Sequence, residues 1–130
     1  MAVDEVITEL QGAWNAGDGT AWAAAFAEDA EFVDVLGRVT TGRRAIGDEH
    51  QKILDTIYRD SRIEIRPVTR HHLADDVLLV RTESRLRVPT GPRAGDTLAV
   101  QTMILRHGRI FAFHNTIRSD MAAFTGNHPA

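Results

Sequence analysis

Hydrophobic positions along the chain follow helical spacing first and strand alternation afterwards. Val3, Val6, Ile7, Leu10, Ala13 and Trp14 recur at intervals of three and four, which places them on one face of a first helix. Gly17 suits the left-handed residue that ends a helix, and Asp18 suits the cap of a second, short one. Trp22, Ala25 and Phe26 are its inner stripe, and Glu28-Asp29 is read as its end. Ala30–Leu36 alternates as a strand, with Phe32 and Asp34 on one face and Val33 and Val35 on the other. After a turn at Gly37, Thr41-Gly42 opens a third helix from about Arg43 to Tyr58. Its apolar stripe is Ile46, His50, Ile53, Leu54, Ile57 and Tyr58, with a histidine in one apolar place.

Beyond the break at Asp60-Ser61 the period is two. Arg62–Thr69 alternates, and Pro67 marks it as an edge or bulged strand. Asp75-Asp76 is a turn. In Val77–Val88, Leu78, Val80, Thr82, Ser84 and Leu86 share one face, and Arg81, Glu83, Arg85 and Arg87 the other. Pro89–Gly95 is a loop, and Thr97–Arg106 and Arg109–Ile117 form a hairpin about His107-Gly108. The order helix, helix, strand, helix and four strands predicts an α+β fold. Three N-terminal helices pack on a curved, mostly antiparallel sheet and leave a pocket at its wide end. Residues 1–118 form this single domain, and residues 119–130 a short tail with weak periodicity.

Composition narrows the chemistry more than the fold. A chain of 130 residues is long enough for one domain to bury a core without staples. It has no cysteine, which excludes disulfides, thiolate metal sites and cysteine nucleophiles. The net charge of −3 gives no general attraction to nucleic acid. No apolar run approaches the roughly 20 residues that span a bilayer, and Asp4, Glu5 and Glu9 do not suit a signal peptide, so the expected location is cytoplasmic. Phosphate loops, nucleophile elbows and HExxH spacing are missing from the sequence. His71-His72 and Asp75-Asp76 flank a turn and read as a solvated loop. The expectation is therefore no metal, no cofactor, no nucleic acid and no membrane.

His50 is the sharpest candidate for chemistry, because it points where its apolar neighbours point and titrates near neutrality. The alternative is a histidine hydrogen-bonded within the core. Asp34 shares the Phe32 face, so it either faces the pocket or already lies at a solvated rim. Together, Asp34 could orient the imidazole of His50 and His50 could move a proton. On the last strand His114 and Asn115 are adjacent, so only one faces the pocket, and His114 is favoured slightly. His50, Asp34 and His114 are thus the catalytic candidates. Trp14, Phe32, Tyr58, Asn115 and Gln101 are the ligand-binding candidates, Tyr58 because its hydroxyl could polarise a carbonyl. The alternating charges on the outer strand faces suit cross-strand pairs or a dimer-facing surface.

A set of short motifs, in order, resembles a known superfamily. They are Trp14-Asn15-Ala16-Gly17-Asp18, Phe26-Ala27-Glu28-Asp29-Ala30-Glu31-Phe32-Val33, Gly42 with Ala45-Ile46 and His50, Asp55 through Arg62, and Gly108-Arg109 leading to His114-Asn115-Thr116. The chain is similar to the nuclear-transport-factor-2-like superfamily, in its SnoaL-like branch and the group named for SgcJ and EcaC. The resemblance implies a cone-shaped α+β barrel around a pocket, a homodimer through the outer sheet face, and a place in secondary metabolism. It also implies a choice of cofactor-free chemistries: isomerase, dehydratase, epoxide hydrolase or cyclase, on an apolar polycyclic or polyketide-like metabolite. Other members only bind or transport, so a small-molecule binding protein or a dimeric interaction module is the alternative. Cyclases of this type use a late-strand aspartate, where this chain has His114 and Asn115.

Overall fold

A computed structural model describes residues 3–126. Helices α1 (Val3–Asn15) and α2 (Gly19–Ala24) lead into strand β1 (Phe26–Val33), a short β2 (Val39–Thr41) and helix α3 (Arg43–Asp55). Four strands follow, β3 (Arg62–Ala74), β4 (Val77–Val88), β5 (Gly95–Arg106) and β6 (Arg109–Ile117), then a short α4 (Met121–Gly126). The strands form one sheet in the order β2-β1-β6-β5-β4-β3. All neighbours are antiparallel except β1 and β6. The α+β expectation holds, with the sheet curved and unclosed.

α1 forms as its periodicity predicts, and all six stripe residues are buried. At roughly 1.5–3 kcal/mol for each large apolar side chain, that stripe anchors the helix to the sheet. α1 also closes the free edge of β3. Asn15 Oδ1 accepts from the Ile63 amide at 2.7 Å, its Nδ2 donates to the Ile63 carbonyl, and Gln11 Oε1 accepts from the Ile65 amide. Edge groups that would otherwise template another strand are thereby satisfied. Pro67 lies on this edge strand beside a register shift, as expected.

Asp18 caps α2, accepting from the Ala21 amide at 3.0 Å. α2 and α3 cross through two glycines. A Cβ on Gly19 would sit 2.6 Å from the Gly47 carbonyl oxygen, and one on Gly47 would sit 3.0 Å from Ala23 Cβ. Gln51 locks the crossing, accepting from the Gly19 amide and donating to the Gly17 carbonyl. This close approach brings the α3 stripe against Trp22.

Four local expectations need correction. Phe26 does not extend α2, and Glu28-Asp29 does not end it: β1 begins at Phe26, opposite Ile110 of β6. The alanine-rich run favours helix, but pairing with β6 overrides that propensity. A register shift between Phe26 and Glu31 explains the two consecutive exposed acids, Glu28 and Asp29. β1 stops at Val33, so Asp34 lies outside it, and β2 is an additional strand between α2 and α3. α3 ends at Asp55, and Tyr58 follows in a turn whose amide donates to the Ile53 carbonyl.

Candidate functional site

A cavity of about 370 Å³ opens between α3, the ends of α1 and α2, and the inner face of the sheet. Its walls are mostly apolar: Trp14, Trp22, Phe32, Phe113, Ile53, Ile57, Ile63, Ile65 and Leu86. Parity explains the sheet side, since Leu78, Val80, Thr82 and Ser84 of β4 all face inward and are buried. Register explains the far wall, where Phe32 of β1 pairs with Phe113 of β6 and their rings stack at 4.9 Å.

His50 sits deep in this wall. It is 5% exposed and stacks on Trp22 at 5.0 Å, with Phe32 edge-on at 4.6 Å. Its Nδ1 is 2.8 Å from the Ile46 carbonyl oxygen, one helical turn back. A carbonyl can only accept, so Nδ1 carries the proton and donates. Nε2 is then the unprotonated nitrogen, with no hydrogen-bond partner among the described residues. Burial pushes the imidazole pKa down to about 4, against the weaker upward pull of the Ile46 carbonyl, Glu49 and Asp34. The ring is therefore a neutral acceptor across the physiological range.

Asp34 occupies the rim and not the strand face. Its Oδ1 accepts from the Leu36 and Arg38 amides, each at 2.9 Å, and its Oδ2 pairs with Arg38 Nε at 2.8 Å. Partial burial opposes its charge, but the Arg38 amide, the Arg38 guanidinium and the Leu36 amide outweigh it and lower the carboxyl pKa. The carboxylate thus builds the β1–β2 turn and makes no hydrogen bond to His50. Asp34 and His50 line the same cavity without a direct hydrogen bond, and the Ile46 carbonyl orients the imidazole.

His114 is exposed and lies on the outer face, level with Thr102 of β5. Its neighbours Phe113 and Asn115 line the cavity, so strand alternation selects Asn115 over the favoured His114. Trp14, Phe32, Tyr58, Asn115 and Gln101 all line it. Trp14 Nε1 donates to Ser61 Oγ at 2.9 Å, which fixes that ring. Trp22 Nε1 is buried without a hydrogen-bond partner among the described residues.

The sheet floor carries a polar row that the pattern of single residues did not reveal. Thr82 of β4, Gln101 of β5 and Asn115 of β6 are register partners. Thr82 Oγ1 donates to Gln101 Oε1 at 2.7 Å. Gln101 Nε2 donates to Ser84 Oγ at 2.9 Å and to Asn115 Oδ1 at 3.0 Å. The Asn115 amide N–H group and the Ser84 hydroxyl hydrogen are left to the cavity. Ser84 was not among the expected site residues, although two hydroxyl residues in the inner row of β4 were its signal. At the mouth, Val35, Leu36 and Val39 are exposed apolar residues beside the Asp34–Arg38 pair.

A neutral acceptor on the helix side and hydrogen-bond donors on the sheet side therefore line one largely apolar cavity. No group of three or more metal-ligating side chains exists among the described residues, and no described helix is long and apolar enough to cross a membrane. Fold and cavity together define an α+β pocket protein of the nuclear-transport-factor-2-like, or cystatin-like, class. The chain belongs to the SnoaL-like domain family, whose model matches residues 7–113. It is similar to a solved cystatin-like domain of unknown function from Nostoc punctiforme PCC 73102, with 24% identity and a TM-score of 0.81, covering 95% of this chain and 79% of that one. An uncharacterised cystatin-like protein from Caulobacter vibrioides is 26% identical, with a TM-score of 0.75 over 95% and 92% of the two chains. A ketosteroid isomerase-like protein from Erwinia carotovora atroseptica shares the fold at 12% identity, with a TM-score of 0.75 over 92% and 95%. No curated protein matches the chain.

Proposed function

We propose that this protein is a cofactor-free acid/base catalyst of the isomerase type, acting on a small apolar molecule that carries an oxygen. The observation that carries this reading is that His50 Nε2 and the donors of Asn115 and Ser84 line one cavity. In the proposed step, Nε2 takes a proton from carbon next to a carbonyl. The C–H pair moves into the bond between that carbon and the carbonyl carbon, and the carbonyl pair moves onto oxygen. Asn115 and Ser84 hydrogen-bond the resulting oxyanion, and Tyr58, at the same cavity, is a further donor. In a ketone with a β,γ double bond the imidazolium then returns the proton to the γ-carbon, which moves the double bond into conjugation, so no oxidant or cofactor is consumed. An imidazole with a pKa near 4 is a weak base, and the donors must supply much of the driving force.

The test is hydrogen–deuterium exchange at the α-carbon of 1-indanone in deuterated buffer, followed by proton NMR. Exchange should be faster with wild-type protein than with His50→Leu. Equal rates would refute the catalytic role. A second reading, a non-catalytic binding protein, is favoured by one observation: among the described residues no carboxylate hydrogen-bonds the imidazole, whose Nδ1 bonds to its own helix. Saturable binding without exchange would establish it. The reading of an interaction module with a filled pocket is disfavoured by the open cavity. We also propose a homodimer through the outer sheet face. That face carries Leu79, Ile104, Val100 and Phe111, each half-buried in the monomer and bordered by arginines.

A further inference from the structure

The donor character of the cavity floor is not a property of Asn115 alone. An asparagine amide can turn either end toward a ligand, so something must decide which end faces the cavity. Gln101 decides it, because a complete count of donors allows only one arrangement of the row. Gln101 is 3% exposed and Thr82 is 0% exposed, so neither can turn to water. With Gln101 Oε1 accepting from Thr82, both N–H bonds of Gln101 are used, on Ser84 and Asn115, and the Thr82 hydroxyl is also used. If the Gln101 amide were reversed, Thr82 would have to accept. Its own hydrogen would then have no partner among the described residues, and one N–H of Gln101 would be orphaned as well. Two buried donors would pay full desolvation. Thr82 therefore fixes Gln101, and Gln101 fixes Asn115 with its oxygen inward and its N–H₂ toward the ligand.

We infer that Thr82 and Gln101 are positioning residues that turn the N–H₂ of Asn115 to the cavity, so that the cavity selects apolar ligands presenting a carbonyl-type oxygen there. The inference rests on the reading that this cavity is the functional site, and it narrows that reading to a substrate class. The polarity limit follows from Gln101. A ligand whose only polar group is a donor finds no partner at Asn115 and must turn to a hydroxyl oxygen such as Ser84 Oγ, to His50 Nε2 or to the carboxylates of Asp34 and Glu49.

The experiment compares two bicyclic probes, 1-indanone with an oxygen acceptor and indole with an N–H donor, by NMR titration of the side-chain amide signals. Wild type should bind 1-indanone at least about tenfold more tightly, the value of one well-placed hydrogen bond. Thr82 does not line the cavity, so Thr82→Val can alter ligand preference only through Gln101. That variant should bring the two probes within about threefold of each other, and Thr82→Ser should restore the wild-type ratio. Gln101→Glu offers only acceptors to Asn115 when ionised and should invert the preference; should it not fold, Thr82→Val decides alone. A wild type that favours indole or ignores the difference overturns the inference. So does a folded Thr82→Val protein with the wild-type ratio. None of these readouts requires turnover. A clear probe preference without deuterium exchange would retire the catalytic reading and leave this one standing.

Discussion

Lowering the pH should cost this protein stability through one residue. His50 carries an ordinary imidazole value of 6.5 when unfolded and about 4 when folded, because burial among Trp22, Phe32 and Trp14 disfavours its charge. Between those two values the unfolded chain binds a proton that the folded chain refuses. Stability therefore rises with pH in this window and falls as pH drops from about 6.5 toward 4. The gap of roughly 2.5 units, at about 1.4 kcal/mol per unit, amounts to roughly 3 kcal/mol lost by pH 4. Against a typical total of about 5–15 kcal/mol, such a loss is visible. Asp34 acts in a separate window. Its lowered pKa contributes stability above the unfolded value of 3.8, and that contribution is lost only as pH falls below it.

Urea denaturation followed by tryptophan fluorescence measures this, with wild type and His50→Leu compared at each half unit from pH 7 to 4. Leucine fits the apolar stripe and does not titrate, so the variant should lack the His50 slope while keeping every other. The difference between the two proteins should change by roughly 3 kcal/mol across the range. Parallel curves would refute the reasoning. They would mean that water or an ion reaches the imidazole, that its folded and unfolded values coincide, and that it is not the neutral acceptor the site requires.

Gly19→Ala should lower stability by about 1–3 kcal/mol, because its Cβ would meet the Gly47 carbonyl and Gln51 backbone, which cannot move aside independently; an unchanged melting temperature would contradict the close crossing of α2 and α3. Asp34→Asn should cost no more than about 1 kcal/mol and leave any His50-dependent exchange within about twofold of wild type, whereas a large loss of exchange would revive the Asp34–His50 pair. Light scattering at micromolar concentration should give a dimer, and Ile104→Arg on the outer face should give a monomer with the cavity intact. A wild-type monomer would remove the proposed interface.

How much was legible in the sequence follows from how local each determinant is. α1 and the inner face of β4 are written in spacings of three, four and two, and they formed where the spacing put them. His50 was legible for the same reason, as one polar place in an apolar stripe, and it is buried in the cavity wall. The end of α2 was not legible, because Trp22 through Ala27 suits a helix until β6 is known to lie beside it. β6 is about eighty residues away and offers Ile110 as the partner of Phe26. Which of the two positions Asp34 takes, pocket face or rim, was not legible for the same reason. Extending β1 by one residue would have put it on the Phe32 face, and only the length of the β1–β6 pairing shows that the strand has already ended.

The polar floor shows the limit most clearly. Thr82, Gln101 and Asn115 are separated by nineteen and fourteen residues, and although Gln101 and Asn115 were each read as ligand-binding candidates, nothing in the sequence joined the three into one row. Each sits at an inner position that apolar residues normally fill, yet a single polar residue there reads as a core residue with a private partner. What makes them a site is register: one hairpin and one loop must bring the three onto a single row. Shifting β5 by one residue would carry Gln101 to the outer face and leave Thr82 and Asn115 without their link. Such a row therefore cannot be found by scanning for reactive side chains. It can be found by asking which buried polar residues of neighbouring strands become partners in one register, and whether their donors and acceptors balance. In this protein the count balances only when two donors, from Asn115 and Ser84, are left over on the cavity side.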